Sequence, residues 1–76
     1  MLRAETQEVV RVGIVGAGRI APRFVSEAQC VNGIEITAVY DIDFSKAASF
    51  VIENNIPDVY RDINKFLSEI DAVYIA

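Results

Sequence analysis

The stretch VVRVGIVGAGRIA, Val9–Ala21, decides how the rest of this sequence is interpreted. Val9–Val15 is mostly apolar and β-branched, which is typical of a parallel strand that is covered on both faces. Gly16-Ala17-Gly18 then interrupts the strand. Over Arg19–Gln29 the apolar residues recur at helical spacing, so this segment is predicted to be an amphipathic helix. The stretch therefore predicts a strand, a tight glycine turn and a helix.

The remainder of the sequence repeats this alternation of strands and helices. The predicted elements are a strand at Ile34–Tyr40, a helix capped by Asp43 and stopped at Asn54-Asn55, a very short strand at Val59-Tyr60, a helix capped by Asp62, and a strand at Ala72–Ala76. The order β-α-β-α-(β)-α-β, with crossovers long enough for parallel pairing, predicts an α/β fold with a doubly wound parallel sheet. Only the first half of such a sheet is present, and its expected strand order is 3-2-1-4.

The helical spacing also predicts which residues face the core. In the second helix the expected buried residues are Phe44, Ala47, Ala48 and Val51, and in the third they are Ile63, Phe66, Leu67 and Ile70. Residues 1–8 are polar and without periodicity, so we expect them to form a flexible leader.

Gly16, Gly18 and Ala21 form a G-x-G-x-x-A motif, in which each small residue has a physical role. Gly16 allows the tight turn from strand to helix, and Gly18 lets the pyrophosphate of a dinucleotide approach the backbone. Ala21 lets the helix pack closely on the strands. The helix then directs its free N–H groups at the phosphates. The motif therefore predicts that residues 9–76 are the N-terminal part of a Rossmann-type dinucleotide-binding domain.

Asp41 lies 20 positions after Ala21 and directly follows the second predicted strand. A carboxylate at this point accepts hydrogen bonds from the adenosine ribose hydroxyls and repels the 2′-phosphate of NADP. Since Lys46 is the one cation that follows closely in the sequence, we expect NAD to be preferred over NADP. Arg19 and Ile20 in the glycine loop, and Ile42 beside the adenine, are further candidate cofactor-binding residues.

Composition excludes several other classes of function. The net charge is −4 and the seven basic residues are not clustered, so neither nucleic acid nor a membrane is an expected partner. With one cysteine, Cys30, and no histidine, we expect no metal site and no internal disulfide. A lone cysteine is consistent with a reducing, cytoplasmic compartment.

Four segments together resemble the Gfo/Idh/MocA family, the relatives of glucose–fructose oxidoreductase and inositol 2-dehydrogenase. They are Arg11–Ala21, Ala38–Asp41, Ile56–Tyr60 and Asp71–Ala76. The resemblance implies an NAD(P)-dependent oxidoreductase acting on a sugar, a polyol or a related carbohydrate, with a second, substrate-binding domain that is absent from this chain. It places the catalytic lysine in a Glu-Lys-Pro motif that no position here matches, so no catalytic residue is assigned. We expect the complete protein to be a homo-oligomer.

Two other functions are compatible with the same features. A non-catalytic Rossmann module that senses NAD(H) would need the same glycine loop and the same carboxylate. A methyltransferase that uses S-adenosylmethionine also pairs a glycine loop with an acidic residue after the second strand. Such enzymes usually carry a further glycine where this sequence has Ile20, which makes them the weaker alternative.

Overall fold

The computed structural model describes residues 9–18 and 21–76, so the expected leader at residues 1–8 lies outside the described residues. Within these ranges the strands and helices follow one another as the sequence predicts. The strands are β1 (Val10–Val15), β2 (Ile34–Tyr40), β3 (Asp58–Tyr60) and β4 (Ala72–Ile75), and the helices are α1 (Ala21–Ala28), α2 (Phe44–Asn54) and α3 (Ile63–Ser68). No helix in the described ranges is long and apolar enough to cross a membrane.

The four strands form one parallel sheet in the order β3-β2-β1-β4, which confirms the predicted doubly wound topology. The pairing of β1 with β2 contains one irregularity. Val12 is opposite Ile36, whereas Gly13 is opposite Ala38, so Thr37 is an extra residue in β2. Beyond this bulge the regular alternation resumes, and Val39 lies opposite Ile14.

Side chains at the helix ends stop and start the helices where the sequence predicts. The Asp43 carboxylate accepts hydrogen bonds from the backbone amides of Ser45 and Lys46, at 3.0 and 3.4 Å. The Asp62 carboxylate accepts from the amide of Asn64 at 2.9 Å. Asn55 ends α2 in the left-handed conformation, with φ 56°, as expected of a helix stop.

The main core lies on the face of the sheet that α1 and α2 cover. The largest contributions come from Ile14 and Val39 at the centre of the sheet, both fully buried. The helices add Ala21, Val25, Ala47, Phe50 and Val51. The predicted stripe of α2 is confirmed at Ala47 and Val51, while Phe50, which that stripe omitted, is also buried.

Phe66 of α3 covers the opposite face of the sheet. Its ring is fully buried beneath Gly13, where an added Cβ would lie 2.5 Å from the Phe66 Cζ atom. Tyr40 and Tyr60 flank the ring, with centroid distances of 5.9 and 6.2 Å. Gly13 therefore makes room for the one large side chain that α3 buries.

The rest of this second face is open to solvent. Leu67 is 49% exposed, so the prediction that it belongs to the buried stripe of α3 is wrong. Val73 and Ile75 on β4 are 43% and 73% exposed. The reason is geometric: α3 packs mainly on β2 and β3, which lie on the other side of β1 from β4.

An ion pair fixes the start of β4 to β1. The Arg11 guanidinium donates two hydrogen bonds to the Asp71 carboxylate, each 3.2 Å long, and the Arg11 amide donates a third at 2.9 Å. These bonds to Arg11 lower the pKa of the Asp71 carboxyl. The pair lies at the amino ends of β1 and β4, whereas the glycine loop lies at the carboxyl end of β1.

Candidate functional site

The glycine loop and Asp41 meet at the carboxyl edge of the sheet. β1 and β2 are adjacent and parallel, so the residues that follow them emerge side by side. The Gly16 amide donates a hydrogen bond to the carbonyl of Tyr40, the last residue of β2, at 2.9 Å. The carboxyl ends of parallel strands are where α/β proteins bind their ligands.

Gly16 adopts a backbone conformation that glycine tolerates best. Its φ is +99°, which side-chain-bearing residues rarely adopt. An added Cβ would also lie 3.2 Å from the Ala76 carbonyl oxygen. The predicted role of Gly16 in the tight turn is therefore supported by its backbone angle and by its surroundings.

Gly18 differs from Gly16 because the space around it is open. The residue is exposed, and an added Cβ would lie within 4 Å of no described residue other than its chain neighbour. Packing against the described residues therefore does not require a glycine at this position. A backbone without a side chain, facing open space before a helix, fits the close approach of a pyrophosphate.

Ala21 is the first residue of α1 and is completely buried in the core. Its small side chain lets the helix lie close to the sheet, as its place in the motif predicts. Arg19 and Ile20, the other two residues predicted to contact the cofactor from this loop, lie outside the described residues.

Both oxygens of the Asp41 carboxylate accept hydrogen bonds from backbone amides. Oδ2 accepts from the Ala17 amide and Oδ1 from the Asp43 amide, each at 2.8 Å. These two bonds, that from Ala17 above all, lower the pKa of the Asp41 carboxyl below its ordinary value. The side chain is therefore ionised at neutral pH, and each oxygen keeps a lone pair with which to accept a ribose hydroxyl.

The two residues after Asp41 play different parts. Asp43 accepts hydrogen bonds from the first turn of α2, so its carboxylate has the helix-capping role that the sequence favours. The Ile42 side chain is 94% exposed at the same edge. An apolar side chain in that position can provide one wall for an adenine ring.

Arg61 is a feature of this edge that sequence patterns did not reveal. The residue directly follows β3, and its guanidinium carbon lies 3.7 Å from the centroid of the Phe44 ring, at the start of α2. The sequence could have indicated Arg61 as a candidate site residue, because it directly follows a predicted strand. Among the described residues, no group of three or more His, Cys, Asp or Glu side chains is placed to hold a metal ion.

Comparison with known proteins identifies the type of domain. Residues 10–76 match the model of a family described as "Oxidoreductase family, NAD-binding Rossmann fold". Over 70 residues, covering 90% of this chain, the sequence is 30% identical to scyllo-inositol 2-dehydrogenase (NADP(+)) IolU of Bacillus subtilis. These matches support neither a sensor module nor a methyltransferase.

Solved structures give the same result. A myo-inositol dehydrogenase from Lactobacillus casei, in complex with NAD(H) and myo-inositol, superimposes on 90% of this chain with a TM-score of 0.77 and 32% identity. An NAD-binding protein from Listeria innocua covers 91% of this chain with a TM-score of 0.77 and 25% identity. This chain spans 21% of the length of the Bacillus and Lactobacillus proteins and 20% of the Listeria protein.

Proposed function

This chain belongs to the Gfo/Idh/MocA family of oxidoreductases and has its NAD-binding Rossmann fold, and we propose that the whole protein is an NAD-dependent dehydrogenase. It transfers a hydride between the nicotinamide cofactor and a sugar, polyol or related carbohydrate. The two relatives with named activities are inositol dehydrogenases, which makes an inositol the first substrate to test.

The observation that carries this proposal is the bond between Asp41 and the glycine loop. One carboxylate holds the Ala17 amide at 2.8 Å and stays ionised at the point where the adenosine ribose would lie. The phosphate-binding loop and the ribose-binding group therefore form one preorganised unit. An ionised carboxylate there favours two free hydroxyls over a 2′-phosphate, and we propose that NAD is the preferred cofactor.

We propose that the described residues of the site each contact a different part of the cofactor. Gly18 gives the pyrophosphate access to the backbone, Asp41 accepts from the ribose hydroxyls, and Ile42 lies against the adenine. We expect Arg19 and Ile20, which lie outside the described residues, to contact the cofactor as well. The bound cofactor supplies the hydride chemistry, and this domain orients it.

We propose that the groups that move the proton lie outside these 76 residues. The chain has no histidine, and its two lysines, Lys46 and Lys65, are exposed on α2 and α3. Hydride transfer from an alcohol needs a general base and a substrate pocket. The 76-residue chain alone is accordingly inactive, and a separate domain holds the substrate. We further propose a cytoplasmic homo-oligomer.

Calorimetric titration of the full polypeptide with NAD and with NADP tests cofactor binding. Myo-inositol and scyllo-inositol are then assayed as substrates by the absorbance of the reduced cofactor. We expect binding of NAD, reduction of NAD in the presence of a polyol, and no turnover by the 76-residue chain. Absence of cofactor binding would contradict the proposed function, while binding without any polyol-dependent reduction would contradict the proposed substrate class.

A further inference from the structure

The position of Arg61 follows from the pairing of β2 with β3. Tyr40 and Tyr60 are opposite each other at the ends of these parallel strands. Asp41 and Arg61 are the next residues of the two strands, so they leave the sheet side by side. A cationic residue therefore follows β3 at the same end of the sheet where Asp41 follows β2.

Phe44 holds the Arg61 side chain at this edge. The guanidinium carbon lies 3.7 Å from the ring centroid, well inside the range of a cation–π interaction. Phe44 is the first residue of α2, and its ring is partly buried. The guanidinium is thus oriented by a fixed aromatic ring, while Arg61 itself remains exposed.

The charge of Arg61 is not neutralised by the carboxylates nearby. The ion pairs within residues 9–18 and 21–76 are Arg11–Asp71 and Arg23–Glu27, and neither includes Arg61. The oxygens of Asp41 and the Oδ1 atom of Asp43 accept backbone amides instead. The edge therefore combines two carboxylates that are tied to the backbone with one oriented guanidinium that can bind an external anion.

We propose that Arg61 determines cofactor specificity by binding the 2′-phosphate of NADP, so that it limits the preference for NAD that Asp41 imposes. This inference rests on the proposed function, because it presumes that the adenosine ribose lies beside Asp41. A guanidinium is planar and can donate two parallel hydrogen bonds to a pair of phosphate oxygens. NAD offers no phosphate at this position, so the contact is made with NADP alone.

Calorimetric titration of the full polypeptide with NAD and NADP tests the inference in Arg61→Gln, Arg61→Lys and Lys65→Gln. Arg61→Gln should weaken NADP binding about tenfold, the loss of one charge-assisted hydrogen bond, and change NAD binding less than about twofold. Arg61→Lys keeps the charge but loses the planar paired donors, so its NADP affinity should lie between those of the wild type and Arg61→Gln. Lys65→Gln removes the same charge from α3 and should leave both affinities unchanged.

The other possible results of these titrations distinguish a failure of this inference from a failure of the proposed function. An equal loss of NAD and NADP binding in Arg61→Gln would overturn the inference, since Arg61 would then only support the structure around Phe44. Unchanged NADP binding in that variant would overturn it as well. If the wild-type protein binds neither cofactor, the proposed function fails, and the inference fails with it for that separate reason.

Discussion

The Asp41 carboxylate accepts a hydrogen bond from the backbone amide of Ala17, with 2.8 Å between the two heavy atoms. This bond joins the end of β2 to the loop that follows β1. Asp41 is therefore well placed both to hold the loop in shape and to meet the ribose. A substitution at this position should affect both properties.

Asp41→Ala should weaken NAD binding and relax the rejection of NADP. The reason is the loss of the ribose acceptor together with the negative charge that repels a 2′-phosphate. We expect the ratio of the NADP and NAD dissociation constants to shift by about tenfold or more in favour of NADP. Asp43→Ser is the matched control, because it removes a neighbouring charge but keeps a helix-capping side chain. An unchanged ratio in Asp41→Ala would refute the assignment of Asp41.

Gly18 and Gly13 should respond in opposite ways to an added side chain. Gly18→Val should leave the melting temperature nearly unchanged, because a Cβ there would lie within 4 Å of none of the described residues beyond its chain neighbour, yet it should abolish NAD binding. Gly13→Ala should cost about 1–3 kcal/mol of stability, because the new Cβ would overlap the buried Phe66 ring. Thermal unfolding and NAD titration of both variants check this pair. Wild-type NAD affinity in Gly18→Val would contradict the loop assignment.

The pH dependence of stability should reveal the bonded carboxylates. Asp41 and Asp71 have folded-state pKa values below the ordinary value of 3.8. The stability that they contribute is therefore fully present above that value, and it is lost as the pH falls through their lower folded-state values. Asp41→Asn should destabilise the protein at pH 7 and make little difference under strongly acidic conditions. A destabilisation that is equal at both pH values would contradict the role assigned to the charge.

The 76-residue chain should associate with itself through β4. In the described sheet this strand pairs only with β1, and its Val73 and Ile75 side chains are largely exposed. Apolar strands at an open sheet edge favour pairing between molecules. Sedimentation at micromolar concentration should show oligomers that Ile75→Lys reduces. Ile52→Lys, which changes a residue 77% exposed on α2, serves as the control. A monomeric wild-type chain would show that the edge is protected.

Local patterns were sufficient to predict the fold. Alternation of strands and helices gave the strand order, and Asp43, Asn55 and Asp62 marked helix ends because capping depends on near neighbours in the chain. The meeting of the glycine loop with Asp41 was predictable for a similar reason, since parallel strands bring their carboxyl ends together.

Contacts between distant residues were not predictable in this way. The packing of Phe66 against Gly13 and the contact of Arg61 with Phe44 depend on where side chains lie in three dimensions. Leu67 shows the same limit. Helical spacing placed it beside Phe66, but spacing does not reveal how much of a helix face another element covers.

The extra residue at Thr37 affects how sequences of this kind should be aligned. From Val12 to Gly13, β1 advances by one residue, while β2 advances by two, from Ile36 to Ala38. The 20-residue interval from Ala21 to Asp41 therefore includes one position of β2, Thr37, that has no partner in β1. A homologue with a regular β2 would carry its carboxylate one position earlier, where an ungapped alignment places Tyr40. Searches for related domains should let this interval vary by one residue.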